Sequence, residues 1–353
     1  MFVVHAPAFS LEHTLESGQT FRWRRMGAGY LGVVAGGVVE VRQEGEQLYA
    51  RSSAPERLHA DWLRRYFALD LDLPYILREI DRDPQIHAAI LRYAGLRIVR
   101  QESWECLASY ILSSFNNIKR IEGMIARLAL RFGARVQWNG REAHAFPAVE
   151  CVAAASEAQL RSLGLGFRAA YLRDTARALM ASQCDLHALA TQPYAAAKTA
   201  LLALPGVGDK VADCVLLFSH DHWEACPIDV WVHRALRPHF RRRPSQANMH
   251  LFARRHFGRY VGYAQQYLFH DLRMRVRPGS GGQAEARAGA QSVSAAQSRS
   301  VMAAGDLAIA EARDIVALDV SEPATRCVSV GAQSYGSVEN NRLTDRQATE
   351  ETR

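Results

Sequence analysis

The chain has 353 residues, 48% of them hydrophobic, enough for two or three domains with substantial cores, which excludes a wholly disordered polypeptide. Its 43 Lys plus Arg against 36 Asp plus Glu leave a net charge of +7, a balance that favours a polyanionic partner. Six cysteines form no Cys-x-x-Cys pair and no apolar run is long enough to span a membrane, so zinc-ribbon, disulfide-framework and transmembrane classes are set aside.

The first 95 residues begin as a β-meander. Tyr30–Val34, Val38–Arg42 and Gln47–Arg51 are short apolar-rich runs, separated by Ala35-Gly36-Gly37 and Glu44-Gly45-Glu46. From Pro55 the period becomes helical, with Leu58, Trp62, Leu63, Tyr66 and Phe67 on one face. Residues 96–277 read as successive helices: Trp104–Ser114, Ile121–Phe132, Ser156–Leu163, Tyr171–Ser182, Tyr194–Leu202, Val211–Phe218, Asp229–Phe240 and Ala264–Arg273. Residues 278–353 carry seven Arg, no Lys and ten Asp plus Glu, and lack both Trp and Phe. That composition cannot bury enough apolar surface to order itself, so a disordered tail is expected, with a transient helix over Asp306–Ala317. The remaining body holds a net charge of +10. The expected fold class is α+β: an N-terminal antiparallel meander domain (1–95), a helical domain (96–277) and the tail (278–353).

The most informative run is Leu204-Pro205-Gly206-Val207-Gly208-Asp209-Lys210, followed by Pro227-Ile228-Asp229. It reads as a helix, a tight glycine hairpin and a second helix starting near Asp209. Gly206 and Gly208 permit positive φ and close backbone approach. Free N–H groups at the following helix start then form a phosphate site. Such a helix-hairpin-helix clamp also occurs in DNA-binding proteins that catalyse nothing. Lys210 just inside the second helix, with Asp229 nineteen residues on, sharpens the reading, for the pair resembles the helix-hairpin-helix/Gly-Pro-Asp superfamily of DNA base-excision glycosylases. Breaking a base–sugar bond builds positive charge on the sugar, which a carboxylate stabilises. An amine can capture the sugar as a Schiff base, and burial at a helix start disfavours the ammonium form of such an amine. Taken alone, Lys210 as a phosphate contact and Asp229 as a helix cap fit equally well.

Three further stretches narrow the choice. Ser17-Gly18-Gln19-Thr20-Phe21-Arg22-Trp23, the segment from Glu105 through Ser113-Ser114-Phe115-Asn116-Asn117-Ile118, and Leu163-Gly164-Leu165-Gly166-Phe167-Arg168 lie in order ahead of the hairpin. Together with Lys210 and Asp229 the set resembles the 8-oxoguanine DNA glycosylase/AP lyase family of the helix-hairpin-helix/Gly-Pro-Asp superfamily, over roughly residues 10–275. The resemblance implies a base-excision repair enzyme that flips 8-oxoguanine from duplex DNA, attacks with Lys210, stabilises the sugar cation with Asp229 and eliminates the 3′ phosphate. It further implies a damaged-base pocket in which the Gly18 carbonyl meets the N7–H peculiar to the oxidised base. Cys214 and Phe269 would sandwich the base and Gln265 would bond its Watson–Crick edge. In isolation Phe269 reads as core and Cys214 as a packing residue. Arg120 and Arg168 match positions that read the orphaned cytosine, and Phe167 an aromatic wedge; each arginine would serve equally as a phosphate contact.

Two positions depart from the family pattern. Phe115 stands where an asparagine usually fills the gap, and a phenyl ring can stack but not hydrogen-bond. Trp231 replaces a phosphate-touching histidine. Only Cys327 follows Asp229, which excludes the four-cysteine iron–sulfur motif of related endonucleases. No cofactor or catalytic metal is expected, although the resemblance offers the carbonyls of Leu202, Leu204 and Val207 for a structural cation. A monomer acting on double-stranded DNA, away from membranes, in the cytoplasm or nucleoid (the nucleus in a eukaryote), completes the expectation. The alternatives are a glycosylase for other damaged purines and a damage-binding protein without catalysis.

Overall fold

Glycine-bearing turns and alternating apolar residues build the first layer of the computed structural model, which describes residues 1–276. The tail expected to be disordered, and the Asp306–Ala317 helix, lie outside the described residues. Five antiparallel strands, β1 (Phe2–His5), β2 (Trp23–Met26), β3 (Gly29–Val34), β4 (Gly37–Glu44) and β5 (Gln47–Ser52), pair in the order β1-β5-β4-β3-β2. The β3–β4 connection is a two-residue turn with both Ala35 and Gly36 at positive φ, which matches the twist of the strands it joins. The meander expected from sequence is the centre of this sheet. The two edge strands were not expected, because β2 buries only one residue in four and carries no period-2 signal.

Helix α1 (Leu11–Glu16) lies between β1 and β2, and α2 (Ala60–Tyr66) follows β5. Val4, Val39, Val41, Leu48, Leu58, Leu63 and Phe67 form one core with the sheet. A second core begins at Leu73 and runs through the helices α3 (Leu73–Ile80), α4 (Pro84–Arg92), α5 (Ser103–Leu112), α6 (Ile118–Phe132), α7 (Val149–Ala154), α8 (Glu157–Leu160), α9 (Arg168–Met180), α10 (Tyr194–Leu202), α11 (Asp209–Ser219), α12 (Val230–Leu236), α13 (Gln246–Phe257) and α14 (Val261–Arg275). Phe21 from the first motif belongs to this second core and Trp23 to the first, so that segment spans the two.

The eight expected helices are present, Tyr194–Leu202 with the ends expected and the others with shifted ends, and α8 continues into one π-turn over Arg161–Leu165. Helices α1, α3, α4, α7 and α13 are additions to the sequence reading, as is the hairpin β6 (Arg135–Trp138) to β7 (Arg141–His144). Helices α3 and α4 carry Asp N-caps at Asp72 and Asp83 with proline in the first turn. The β6–β7 turn is Asn139-Gly140, both residues at positive φ.

Candidate active site

Helix α10 ends at Leu202, and the chain turns through Leu204–Gly208 before α11 begins at Asp209. The Val207 amide donates to the Leu204 carbonyl at 3.2 Å and closes the turn. Gly206 has φ +74, and a Cβ there would come within 2.5 Å of Tyr171, so this glycine is dictated by packing against α9. Gly208 is different: it stands at the N-cap of α11 and a Cβ would meet nothing within 4 Å. Its bare backbone faces open space beside the free N–H groups of the helix start.

Lys210 occupies the first turn of α11 and is half-buried. Its Nζ donates to Ser113 Oγ at 2.9 Å and lies 4.7 Å from the centre of the Tyr110 ring. Tyr110 in turn stacks on Phe218 and donates its hydroxyl proton to the Gln19 carbonyl at 2.9 Å. Asp229 caps α12: one carboxylate oxygen accepts from the Trp231 and Val232 amides at 3.0 and 2.9 Å. Burial raises its carboxyl above the ordinary aspartate value, opposed by the Val232 cap bond and then by the charge of Lys210. The amine and the carboxylate therefore share one electrostatic environment. Cys214 lies one turn along α11 from Lys210; burial pushes its thiol up to about 12, against the charge of Lys210, so it presents a neutral, soft surface.

Gly18 and Phe269 come together from opposite ends of the chain. Gly18 has φ +81, and a Cβ there would meet Ile118 at 2.8 Å, Phe269 at 3.3 Å and Arg273 at 3.4 Å. The neighbouring Gln19 is fully engaged. Its amide nitrogen donates to the Thr14 and Arg97 carbonyls and to Ser17 Oγ, and its oxygen accepts from the Val99 amide. Gln265, one turn before Phe269 on α14, is buried with its Oε1 lacking a hydrogen-bond partner. A buried acceptor left open is costly unless a ligand donates to it.

The loop between α5 and α6 supplies another group of sequence-predicted residues. Phe115 is 97% exposed, and Phe167 is 47% exposed. Arg168 donates from Nε to the Ser114 carbonyl at 2.8 Å and from Nη2 to the Phe115 carbonyl at 3.1 Å, with its guanidinium 4.3 Å from the Phe167 ring. Burial and then the like charge of Arg120 lower the Arg168 pKa, which sets these two arginines as neighbours. Trp231 is half-buried with the Arg234 guanidinium 5.1 Å from its ring. His233, Arg234, Arg237 and Arg243 line a basic concavity at the far end of α12.

Sequence reasoning missed Ser113 and Tyr110, the two partners of Lys210, although Ser113 lies inside a motif it quoted. It also missed the buried Asp213, which accepts from Tyr194 at 2.6 Å and Lys198 at 3.2 Å and ties α11 to α10. The only local sign of that tie is a charged residue on the apolar face of α11. Among the described residues there is no cluster of three or more His, Cys, Asp or Glu able to hold a metal, and no helix long and apolar enough to cross a membrane.

Residues 1–107 match the N-terminal domain of 8-oxoguanine DNA glycosylase, and residues 108–255 match the HhH-GPD superfamily base excision DNA repair proteins. The chain is 31% identical over 307 residues to a probable N-glycosylase/DNA lyase of Methanothermobacter thermautotrophicus, covering 77% of this chain and 98% of that one. It is 32% identical over 284 residues to the N-glycosylase/DNA lyase OGG1 of Arabidopsis thaliana, covering 74% and 76% respectively. Its structure resembles that of the Clostridium acetobutylicum 8-oxoguanine glycosylase/lyase bound to duplex DNA with cytosine opposite 8-oxoG, with TM-score 0.72, 29% identity, and coverage of 78% of this chain and 98% of that one. With both halves of its folded body accounted for in this way, the chain belongs to the 8-oxoguanine DNA glycosylase family of the HhH-GPD superfamily.

Proposed function

We propose that the protein is a base-excision repair glycosylase that removes 8-oxoguanine from double-stranded DNA, with associated AP lyase activity. The observation that carries this is the aimed amine. Lys210 is held by Ser113 over an aromatic ring, at the start of a phosphate-ready helix, with its charge felt at the half-buried Asp229. In the proposed reaction the Lys210 amine bonds to C1′ as the base–sugar bond breaks, and the Asp229 carboxylate stabilises the charge developing on the sugar. Ring opening yields a Schiff base, which loses the C2′ proton and expels the 3′ phosphate.

The damaged base occupies the space between Gly18, Cys214, Gln265 and Phe269. A normal guanine would set its unprotonated N7 against the Gly18 carbonyl, two acceptors facing in a dry site. Gly206, Gly208 and Trp231 line the backbone of the lesion strand, while Arg120, Arg168, Phe115 and Phe167 face the vacated stack. A hard cation on the Leu202, Leu204 and Val207 carbonyls would brace the hairpin, oxygen donors being what such ions take. It would have no part in the chemistry. The enzyme works on DNA as a monomer.

The test is a duplex with a single 8-oxoguanine, incubated with and without borohydride. Base release with a covalent adduct in wild type, and no adduct with Lys210→Gln, is the expected result. Tight binding without base release would instead favour a damage-binding protein. An adduct that persists in Lys210→Gln would remove Lys210 from its role.

A further inference from the structure

The turn that carries Gly18 is fastened one carbonyl at a time. Helix α1 stops at Glu16, and a helix end leaves its carbonyls without intrahelical partners. Two of these carbonyls are met by α14, which comes from the far end of the folded chain. Arg273 donates from Nη2 to the Glu16 carbonyl, a favourable place for a cation because the helix dipole is negative there. Gln266, only 1% exposed, donates from Nε2 to the Ser17 carbonyl at 3.3 Å. The Gln19 carbonyl accepts from Gln101 at 2.8 Å and from the Tyr110 hydroxyl at 2.9 Å. Between them, the Gly18 carbonyl accepts no hydrogen bond from the described residues. Arg273 also stands beside the proposed base pocket. Its Cζ lies 3.4 Å from where a Gly18 Cβ would be and 5.8 Å from the centre of the Phe269 ring. Gln265, Phe269 and Arg273 are spaced by four, so one face of α14 carries the base contacts and the tether together.

We infer that Arg273 and Gln266 are positioning residues for lesion recognition, which fix the direction of the Gly18 carbonyl by holding the carbonyls of Glu16 and Ser17. This rests on the glycosylase reading above. Selection by one N–H works only if the acceptor opposite it is held still. A carbonyl able to swing aside would escape the unprotonated N7 of guanine and forfeit the penalty that rejects it. Glycine is the residue least able to hold its own backbone, since it has no Cβ to restrict rotation. The restraint therefore comes from outside. The peptide planes before Gly18 are pinned by α14, and the plane after Gln19 by Gln101 and Tyr110. The one plane left between these anchors presents its oxygen to the base. Because α14 also carries Gln265 and Phe269, the same two bonds set the spacing between the reading carbonyl and the other walls of the pocket. Arg273 and Gln266 act through Gly18 and take no part in the bond-breaking step.

The experiment measures duplex binding in a Lys210→Gln background, where the base stays attached, and takes the ratio of Kd for undamaged DNA to Kd for an 8-oxoguanine duplex. Arg273→Met and Gln266→Met each remove a donor and keep an unbranched side chain. Each should lower that ratio by about threefold to tenfold, the weight of one hydrogen bond to the base. Arg273→Lys, which keeps a donor, should recover part of it. With Lys210 intact, single-turnover excision of 8-oxoguanine should fall more in both Met variants than borohydride trapping on an abasic-site duplex, which requires no base to be read. A merely structural role would lower both alike. If the Lys210→Gln protein shows no preference for the lesion and wild type releases no base, the glycosylase reading fails. If the preference and base release are present, but both Met variants keep the full ratio, the positioning role is overturned. Equal losses on excision and trapping would overturn it as well. Gln266→Met carries the test by itself if Arg273→Met does not fold.

Discussion

The Nζ of Lys210 lies 2.9 Å from the Oγ of Ser113, a partner 97 positions earlier in the chain. Ser113 is the C-cap of α5, and its hydroxyl donates in turn to the Tyr110 carbonyl at 2.7 Å. The hydroxyl oxygen is therefore presented to Lys210 as an acceptor in a fixed direction. The Lys210 amine is aimed by the end of one helix while being carried by the start of another.

Ser113→Ala removes that aim without touching the amine. Borohydride trapping on an abasic-site duplex should slow about tenfold, the weight of a hydrogen bond to a charged donor. Ser113→Thr, which keeps the hydroxyl, should recover most of it. A trapping rate in Ser113→Ala equal to wild type would show that packing alone orients the lysine.

Gly18→Ala should damage recognition more than strand cleavage. The added methyl group meets Ile118 at 2.8 Å and Phe269 at 3.3 Å, and a φ of +81 is strained for alanine. Unfolding free energy should drop by about 1–2 kcal/mol, read from urea midpoints. Excision of 8-oxoguanine should fall well below cleavage of an abasic site. Equal losses on both substrates would argue against a lesion-reading role for the Gly18 carbonyl.

Asp229 should be costly to stability and necessary to catalysis. Its folded value lies above the unfolded one, so its contribution to stability is fully present below the unfolded value and lost as pH rises through the folded value. Asp229→Asn removes the buried charge and keeps a good helix cap. Melting temperature at pH 7 should be equal or higher, while base excision falls by about a hundredfold or more. In wild type the acid limb of the rate should lie at higher pH than for an ordinary aspartate. A clear fall in melting temperature for Asp229→Asn would contradict this balance.

The ion pair of Arg22 and Glu105, with side chains only 8% and 13% exposed, makes a separate prediction about pH. The two groups approach to 3.7 Å, and Arg22 Nη1 has no hydrogen-bond partner. Burial raises Glu105 to about 7, opposed by Arg22 and reinforced by Glu102, and burial lowers Arg22. Desolvation thus outweighs attraction at this site. Stability should fall as pH rises from about 4.5 to 7, between the ordinary glutamate value and the raised one. His222, raised above its ordinary value by the Glu224 bond against the effect of burial, acts in the same direction. Urea midpoints should therefore slope less in Arg22→Met/Glu105→Leu without becoming flat. An unaltered slope in that variant would place the pH dependence elsewhere.

Much of the site could be read from the sequence because its parts are local. The turn at Gly206, the helix start at Asp209 and the Asp229 cap each depend on a few adjacent residues, and the order of four motifs fixed the family. Some local signals went unread: Asp83-Pro84 at α4 and Asn139-Gly140 at the second hairpin follow the same turn and cap chemistry. The roles of Ser113 and Gln19 were a different matter. Gln19 bonds to Arg97 and Val99 some 80 positions away, and Ser113 to Lys210, so no window of neighbouring residues carries either pairing. Phe115 was legible as a departure, but its left-handed backbone and the Arg168 clamp were not.

The bonds made by Gln19 reach the α1 segment, the strand of chain at Arg97–Val99 and, through its carbonyl, both Gln101 and Tyr110. The backbone around Gly18, proposed to inspect the base, is thus suspended from the Arg97–Gln101 stretch that leads into α5, whereas Lys210 and Asp229, proposed to cut, arrive some two hundred positions later. Discernment and force have separate foundations. Injury to that stretch would first show as a careless enzyme, one that still severs an open sugar but has lost its reason to pass over a healthy guanine.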